Sequence, residues 1–454
     1  MKRVLIITYY WPPSGGSGVQ RWLKFSKYLP QYGWQPVIYT PSNPELTLTD
    51  NTLTDEVPPE AEILKRRILE PYSIFRLFSK GGKKTEGSAS SSTAVNPINA
   101  VGEKSFMMKV SLWIRANIFV PDPRCLWIRP SVTFLRKYLK KHPVDAIVTT
   151  GPPHSMHLIG LHLHKATGIR WVADFRDPWT RIFYFKHLPM TGAVRNRHLR
   201  LEKKVLRNAD AVVSVTDLIT GQLESVSARH PAGQSRFHTI ENGYDEEDFL
   251  ERIEPDSSFA ITHTGVFSAE GNPERLWEVL GELCRDKAGF RDDLKIVLAG
   301  KTDNEIISDM EAAGLGDRIE NHGYVRHSEC NALQQQARIL LLPLRKEPEA
   351  DGILTGKYFE YLAAGRPIVA FGPHGGALDI SLEKTGAGHI FGWDEYESLR
   401  SHILELYKAY KSGGDNIDFN PDRKEISGYS RKSLAGRIAS LLDLLPDDFG
   451  GSTV

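Results

Sequence analysis

Short apolar runs alternate along the chain with amphipathic helical patterns and glycine-containing loops. Apolar runs of about four to eight residues between turn signals are typical of strands that are covered on both faces. Because these runs alternate with helical patterns in both halves of the chain, the pattern predicts two doubly wound α/β sheets. The predicted strands are 4–10, 35–39, 146–150, 171–175 and 211–216 in the first half, and 260–264, 294–299, 319–323, 339–343 and 368–371 in the second.

The stretch GILTGKYFEYLAAGRPIVAF, residues 352–371, predicts a polar loop, a short helix at 357–364 and a buried strand. Gly365 suits the position after the helix, where a positive φ costs least on glycine. Lys357 opposes the positive end of the helix dipole at a cost of about 0.3–1 kcal/mol, and an anion bound there would reverse this effect. Glu360 lies on the same face of the helix. These residues indicate either a nucleotide site or an exposed Lys–Glu pair.

The segment KYFEYLAAGRPIVA resembles the donor site of retaining, nucleotide-sugar-dependent glycosyltransferases of family four, which have the GT-B fold. The resemblance extends over most of the chain. It implies two Rossmann-like domains that face each other across a cleft. It also implies that the donor diphosphate binds at Thr355, Gly356 and Lys357, and that Glu360 binds the nucleotide ribose.

Three positions depart from the family pattern. The second glutamate of that pattern falls on Gly352 here, beside Asp351. In the family, an arginine usually follows the glycine that corresponds to Gly265, and a lysine lies some residues later. In this chain those two positions hold Val266 and about Asn272. An active site would therefore take its cations from elsewhere. The candidates are Lys357, Lys301, Arg345 and Arg275.

The length of 454 residues exceeds one ordinary core, so two or three domains are expected. By resemblance, residues 1–243 form an acceptor-binding domain and residues 244–425 a donor-binding domain. Residues 81–105 are rich in Gly, Ser and Thr, which predicts a flexible insertion. A helix and tail at 426–454 follow, and packing against the N-terminal domain is one arrangement open to them.

In the first half, PPSGGSGVQRW at 12–22 lies between a predicted strand and a helix. Its glycines do not match GxGxxG, so a dinucleotide-binding fingerprint is not supported. Glycines let backbone amides come close to a ligand, although the loop is otherwise consistent with a tight turn alone. The resemblance implies that Gly16 and Gly18 face the donor phosphates and the acceptor.

Two further loops follow the predicted strands 146–150 and 171–175. They contain GPPH, which ends at His154, and ADFRDPW, which contains Asp174, Arg176 and Asp177. Ligands of open α/β sheets bind beyond the carboxyl ends of the strands, so His154, Asp174 and Asp177 are candidate catalytic residues. A structural role remains open for each. The resemblance favours Asp174 as the residue that contacts the sugar or the acceptor.

Two segments raise the question of peripheral membrane contact. Residues 105–120 are apolar with two basic side chains interspersed, and residues 195–207 hold six basic side chains and one acidic one. We favour core packing for the first segment and an ordinary solvated helix for the second. The alternatives are contact with a membrane or a partner for the first segment, and attraction of an anionic membrane or lipid-linked acceptor for the second.

Composition sets further bounds on function. The net charge of +1 gives no argument for nucleic-acid binding. The three cysteines are far apart and lack CxxC spacing, which argues against a zinc site or a disulfide framework and fits a reducing cytoplasm. No apolar run approaches the roughly 20 residues that a membrane-spanning helix needs. The acidic run at 245–248 predicts the start of a helix rather than a metal site.

These observations predict a cytoplasmic glycosyltransferase that acts at most at the inner face of a membrane. It would move a sugar from a UDP- or GDP-sugar to a hydroxyl group of a glycan or lipid-linked acceptor. The resemblance implies retention of configuration, no metal or other cofactor, and a role in surface polysaccharide or glycolipid biosynthesis. Two alternatives stay open: a sugar-nucleotide epimerase on the same architecture, and a non-catalytic protein that binds a nucleotide-sugar or glycan.

Overall fold

The computed structural model describes residues 1–45, 48–69, 106–227, 236–413 and 419–445. The chain forms two compact units, the first made of Met1–Glu241 and Leu434–Val454 and the second of Asn242–Ser433. We predicted domain boundaries after residues 243 and 425, and the compact units change over after Glu241 and Ser433. The insertion predicted at 81–105 and the end of the predicted tail lie outside the described residues.

The described part of the first unit contains one parallel sheet. Its strands are β1 (Lys2–Ile7), β2 (Trp34–Pro41), β3 (Glu62–Arg66), β4 (Ala146–Gly151), β5 (Arg170–Phe175), β6 (Ala211–Ser214) and β7 (Phe237–Thr239). Their order in the sheet is β3-β2-β1-β4-β5-β6-β7, and each neighbouring pair is parallel. The order reverses between β1 and β4, which makes this the switch point of a doubly wound sheet.

Helices cover both faces of this sheet and explain its apolar runs. They are α1 (Ser17–Tyr28), α2 (Phe106–Ile118), α3 (Ile128–Leu139), α4 (Ser155–Thr167), α5 (Gly192–Asn208) and α6 (Asp217–Ser227). Along β1, Leu5 and Ile7 are buried in the core on one face, whereas Val4 and Ile6 are buried in the core on the other. A strand whose two faces are both buried requires such a continuous apolar run, because successive side chains point to opposite faces.

The second unit repeats the same architecture. Its strands are β8 (Phe259–Thr264), β9 (Leu294–Ala299), β10 (Ile319–Gly323), β11 (Ile339–Pro343), β12 (Ile368–Phe371) and β13 (Gly388–Phe391). The parallel order β10-β9-β8-β11-β12-β13 places the switch point between β8 and β11. The fold class predicted from sequence, two doubly wound Rossmann-like domains, is therefore confirmed.

The helices of the second unit alternate with its strands. They are α7 (Glu274–Asp286), α8 (Phe290–Asp293), α9 (Asn304–Ala312), α10 (His327–Gln336), α11 (Gly356–Ala364), α12 (Ala377–Thr385), α13 (Glu397–Lys411) and α14 (Arg423–Gly428). The last described helix, α15 (Arg431–Leu444), begins in the second unit and continues into the first. There Leu434, Ile438 and Leu442 are buried in the same core as Val4 and Ile6.

Most differences from the predicted elements have a physical reason. Strands β3, β7 and β13 were not predicted because none of them contains a long apolar run. The acidic run begins a short 3-10 helix, Glu246–Phe249, whose first residues are capped by the Asp245 carboxylate. Helix α2 forms as predicted, but Trp113 and Ile118 are exposed. The core packing that we favoured for 105–120 therefore holds for only part of the described helix.

In the described part of the chain, no helix combines the length and apolar character needed to cross a bilayer. The same residues contain no cluster of three or more His, Cys, Asp or Glu side chains suited to a metal ion.

Candidate functional site

The loops that follow β8 and β9 pack closely together at the switch point of the second sheet. The amide of Gly265, just after β8, donates to the Ala299 carbonyl oxygen over 2.6 Å. Gly265 has a φ of 91° and Gly300 a φ of 130°. A Cβ on Gly300 would lie 2.2 Å from the Gly265 carbonyl oxygen. Both positions therefore require glycine, and the resulting contact fixes the backbone beside the candidate site.

Helix α11 starts next to this loop without a side-chain cap. Thr355 precedes the helix in an extended conformation, and its hydroxyl oxygen is buried without a hydrogen-bond partner in the described structure. The first turn contains no acidic residue. Gly365 ends the helix at a φ of 68°, as predicted. Because the first amides of a helix carry partial positive charge and lack helical acceptors, this end suits an anion.

Lys357 reaches from the first turn of α11 across the Gly265 loop. Its Nζ donates to the Val266 carbonyl oxygen at 3.1 Å and lies 3.3 Å from His263 Nε2. Lys357 forms no ion pair with any described residue. Burial, with a smaller contribution from Arg345, lowers the pKa of Lys357 to about 8, although Glu360 acts to raise it. Lys357 is therefore a partly desolvated ammonium group without a carboxylate partner.

His263 supports Lys357 from within β8. Its side chain is buried, and its Nδ1 lies 3.0 Å from the Leu341 carbonyl oxygen. A hydrogen bond from Nδ1–H to that carbonyl leaves the Nε2 lone pair free to accept a hydrogen bond from the Lys357 ammonium. Burial, and then the Lys357 charge, hold the pKa of His263 well below its usual value. A neutral imidazole therefore orients the lysine without neutralising it.

Glu360 lies one turn beyond Lys357 and is held by Gln334 of α10. The Gln334 amide nitrogen lies 3.2 Å from Glu360 Oε2 and 3.0 Å from the Thr264 hydroxyl oxygen. Gln334 is fully buried, so its position is fixed by packing. The structure thus brings Gly265, Lys357 and Glu360 together at one end of the sheet. Neither His263 nor Gln334 was predicted as a site residue. For His263 a signal was visible, because it lies in the polar run THT at the end of an apolar strand.

The other predicted cations contribute less to this cluster. Lys301 is exposed in the loop after β9, and Arg345 follows β11 with Nη1 3.9 Å from Glu347 Oε1. Arg345 nevertheless acts electrostatically on Lys357. Arg275 pairs with Glu278 at 2.6 Å on the surface.

The departures from the family pattern have different structural settings. The Val266 side chain is 62% exposed, and its carbonyl oxygen accepts the hydrogen bond from Lys357. Asn272 is buried, and it donates to Asp309 at 2.5 Å and accepts a hydrogen bond from the Trp277 indole at 2.7 Å. Asn272 therefore has a structural role. Gly352 is buried and the neighbouring Asp351 is exposed.

In the first unit, Asp174 forms the centre of a buried network. Arg21 Nη2 pairs with Asp174 Oδ1 at 2.9 Å, and the Trp22 indole and the Thr150 hydroxyl donate to Oδ2 at 2.7 and 2.8 Å. Burial alone would raise the pKa of Asp174, but these partners hold it below its usual value. With the side chain 0% exposed, this geometry favours a positioning role. Direct contact of Asp174 with a sugar or acceptor stays a prediction.

Arg176 joins the loops at the switch point of the first sheet. Its Nη1 donates to the Gly18 carbonyl oxygen at 2.8 Å and its Nη2 to the Pro152 carbonyl oxygen at 2.5 Å. A side chain at Gly18 would be crowded, because a Cβ there would lie 3.2 Å from Arg176 Nη1. Gly16 precedes α1 with a φ of 87°, a conformation that favours glycine. The structure thus brings the glycine-rich loop, the GPPH loop and the loop after β5 together.

His154 and Asp177 are more open to a ligand than Asp174. His154 stacks on Trp179 with ring centroids 4.7 Å apart, and both line a cavity of about 140 Å³. The His154 Nδ1 is buried without a hydrogen-bond partner in the described structure, and burial and His157 hold the pKa of His154 well below its usual value. Burial raises the pKa of Asp177, although Arg176 opposes this effect. A neutral imidazole with an unused nitrogen can bind a hydroxyl group.

Two family models match the chain. Residues 259–409 match the model described as Glycosyl transferases group 1, and residues 110–243 match the model described as Glycosyl transferase 4-like domain. A protein of Bacillus subtilis described as a teichuronic acid biosynthesis glycosyltransferase, TuaH, is 23% identical over 218 residues. This match covers 47% of the chain, and it spans about half of the relative, 52% of its length.

Solved structures with the same fold cover nearly the whole chain. Sucrose-phosphate synthase from Thermosynechococcus elongatus is similar at a TM-score of 0.57 and 15% identity, over 98% of this chain and 99% of that one. WaaG, a glycosyltransferase involved in lipopolysaccharide biosynthesis, is similar at a TM-score of 0.52 and 14% identity, over 98% of this chain and 100% of that one. At these identities the similarity establishes the fold.

The buried network predicts that Asp174→Asn destabilises the protein. The substitution leaves the Arg21 charge buried without a counter-charge, so the free energy of unfolding should fall by about 3–5 kcal/mol at neutral pH. Because the folded-state pKa of Asp174 is lowered, its contribution is present above the unfolded-state pKa and is lost as the pH falls through the folded-state value. Urea unfolding between neutral and acidic pH measures both effects.

The matched control for this prediction is Asp177→Asn, three residues along the chain. Asp177 makes no hydrogen bond or ion pair within the described residues, so Asp177→Asn breaks no buried ion pair and should lower the free energy of unfolding far less than Asp174→Asn does. Equal urea midpoints for Asp174→Asn and the unsubstituted protein would refute the positioning role.

Proposed function

We propose that this chain, whose residues 259–409 match the model of glycosyl transferases group 1, transfers a sugar from a nucleoside-diphosphate sugar to an acceptor hydroxyl group. The observation that carries this proposal is the Lys357 ammonium at the start of α11. It has a neutral histidine and a backbone carbonyl as its partners, and it forms no ion pair with a described residue. A diphosphate would supply the missing counter-charge.

The proposed chemistry rests on where negative charge develops. When the bond between the sugar and the diphosphate breaks, charge accumulates on the leaving phosphate oxygens. Lys357 and the first amides of α11 would stabilise that charge, which is usually the largest catalytic contribution. Glu360, held by Gln334, would bind the ribose hydroxyls of the nucleotide. We include retention of configuration, a UDP- or GDP-sugar donor and independence of metal ions in the proposal on the family resemblance alone.

The first unit is proposed to bind the acceptor near the loops that Arg176 joins. His154 lines a small cavity and Asp177 lies on a neighbouring loop, so both are candidates to orient the acceptor hydroxyl group. Asp174 would act through Arg21 by fixing the framework of these loops. Relatives named for teichuronic acid and lipopolysaccharide biosynthesis support a surface polysaccharide or glycolipid as the product class.

A non-catalytic nucleotide-sugar-binding protein is the second candidate, supported by Val266 and Asn272. Neither residue supplies the cation that the family pattern places there. Incubation with a panel of UDP-, GDP- and ADP-sugars separates the candidates. A glycosyltransferase releases nucleoside diphosphate, and an inert binder releases none. An epimerase yields a new nucleotide-sugar without an acceptor.

Lys357→Ala should weaken the binding of nucleoside diphosphate about tenfold or more, because charge-assisted hydrogen bonds contribute about 1.5–3 kcal/mol. The measurement is isothermal titration calorimetry with UDP and GDP. Thermal unfolding should remain cooperative, since the lysine forms no ion pair within the described structure. Lys408→Ala, which removes an exposed lysine from the same unit, is the control. Unchanged affinity in Lys357→Ala would reject the assigned role.

The affinity for nucleoside diphosphate should also depend on pH through Lys357. With a pKa of about 8, the ligand-free lysine is charged below that pH and loses its charge above it. The affinity should therefore fall several-fold between about pH 8 and pH 9.5, whereas Lys357→Arg should bind nearly equally over this range because arginine stays protonated. A parallel decline in both proteins would show that another group titrates.

A lipid-linked acceptor would bring the first unit to a membrane surface, and α2 and α5 carry suitable side chains. Trp113 and Ile118 of α2 are 48% and 59% exposed, and α5 exposes Arg197 and Arg200. Exposed aromatic and aliphatic side chains near basic ones are typical of interfacial binding. The proposal includes peripheral contact of this surface with an anionic membrane.

The double variant Trp113→Ala/Ile118→Ala should lose most of its sedimentation with phosphatidylglycerol vesicles, because the inserting side chains are removed. Tyr324→Ala, which removes a side chain that is 81% exposed in the second unit, should sediment like the unsubstituted protein. Equal sedimentation of the double variant and the unsubstituted protein would exclude this surface.

A further inference from the structure

A second cavity lies at the amino end of the sheet in the second unit. It has a volume of about 450 Å³, and its lining includes residues that precede β11 and β12. The donor site, by contrast, lies beyond the carboxyl ends of β8 and β11. Four arginines contribute to the lining, and Glu246 is the acidic residue among the described lining residues. We call this cavity the arginine pocket, after Arg252, Arg338, Arg366 and Arg423.

Two of these arginines are held in place by neutral groups. Arg338 Nε donates to the Asp256 carbonyl oxygen at 3.0 Å, and the Arg338 guanidinium lies 5.4 Å from the centre of the Tyr410 ring. Arg366 Nε donates to the Gln335 carbonyl oxygen at 2.8 Å. A backbone carbonyl orients a guanidinium group but does not remove its charge. These contacts therefore position both side chains, and for Arg338 they leave the positive charge uncompensated.

Three of the four arginines have no carboxylate partner in the described chain. Arg252, Arg338 and Arg423 form no ion pair with any residue of the described ranges. Like charges that share a concave surface repel one another, and a bound anion would convert this repulsion into attraction. Guanidinium groups bind phosphate oxygens with two parallel hydrogen bonds, which makes phosphate a well-matched anion.

The size and walls of the pocket indicate more than a bare phosphate. A volume of about 450 Å³ lies in the range of about 300–1,000 Å³ that is usual for small-molecule sites. Phe249, Leu362 and Phe419 add apolar wall to the lining. A single phosphate would leave most of this space and this apolar surface uncovered. The ligand therefore needs a body attached to its phosphate.

We propose that the arginine pocket binds a phosphorylated small molecule about the size of a sugar phosphate, at a site separate from Lys357. Tyr244 follows the start of the second unit, and Ile426 precedes its end, and both line the pocket. A ligand would therefore contact the chain segments that lead into and out of this unit. That placement suits an effector more than a reacting substrate, because no candidate catalytic residue lines the pocket.

The test uses inorganic pyrophosphate and fructose 1,6-bisphosphate as probes in isothermal titration calorimetry of the full chain. The double variant Arg252→Gln/Arg423→Gln removes two exposed guanidinium groups and should fold normally. We expect it to bind fructose 1,6-bisphosphate at least tenfold more weakly than the unsubstituted protein. Arg285→Gln, which removes an exposed arginine from α7, should bind it unchanged. Binding should weaken as salt is raised.

Lys357→Ala separates this pocket from the donor site. Fructose 1,6-bisphosphate should bind Lys357→Ala as tightly as it binds the unsubstituted protein. Pyrophosphate should lose only the binding that occurs at the donor site and should still bind in the arginine pocket. The proposal is overturned if the unsubstituted protein binds neither probe. It is also overturned if the double variant retains affinity within twofold, or if Lys357→Ala abolishes all binding of both probes.

Discussion

The candidate donor site depends on one positive charge in the second unit, which is partly desolvated and has no carboxylate partner among the described residues. Lys357 stands at the start of α11, where the helix dipole disfavours a cation, and its Nζ meets a carbonyl and a neutral imidazole. His263 can accept from the lysine because its other nitrogen lies next to the Leu341 carbonyl. Gly265 after β8 and Gly300 after β9 let the two loops pack closely together beside Lys357. Each of these features costs free energy locally or restricts the residues that fit. A bound diphosphate would offset this cost by interacting with the lysine and the first helix amides at once.

Paired and unpaired charges have different uses in this protein. In the first unit, Arg21 and Asp174 bury an ion pair that also accepts hydrogen bonds from neighbouring side chains, which fixes the ends of the strands. Such a pair specifies geometry more than it adds stability. In the second unit, Lys357 and three arginines of the pocket, Arg252, Arg338 and Arg423, keep positive charge without described carboxylate partners. The paired charges therefore build the framework, whereas the unpaired charges are the groups for which ligands are proposed.

The sequence predicted the fold better than it predicted individual roles. Strands buried on both faces leave a continuous apolar run, so β9, β11 and β12 were found with their observed bounds. The edge strand β3, which reads EILKR, leaves no such run. Lys357 and Glu360 were found because a lysine in a first turn breaks a local rule. Gln334 could not be found, since its contact with Glu360 joins residues 26 positions apart on different helices. The burial of Asp174 was also hidden, because a carboxylate after a strand looks the same in sequence whether it faces a ligand or Arg21.

The most direct test of the central claim is a crystal structure of the protein with bound UDP or GDP. The account predicts phosphate oxygens within about 3 Å of Lys357 Nζ and of the Gly356 amide, with Nζ turned away from the Val266 carbonyl. A diphosphate bound elsewhere, with Lys357 still hydrogen-bonded to Val266, would contradict it.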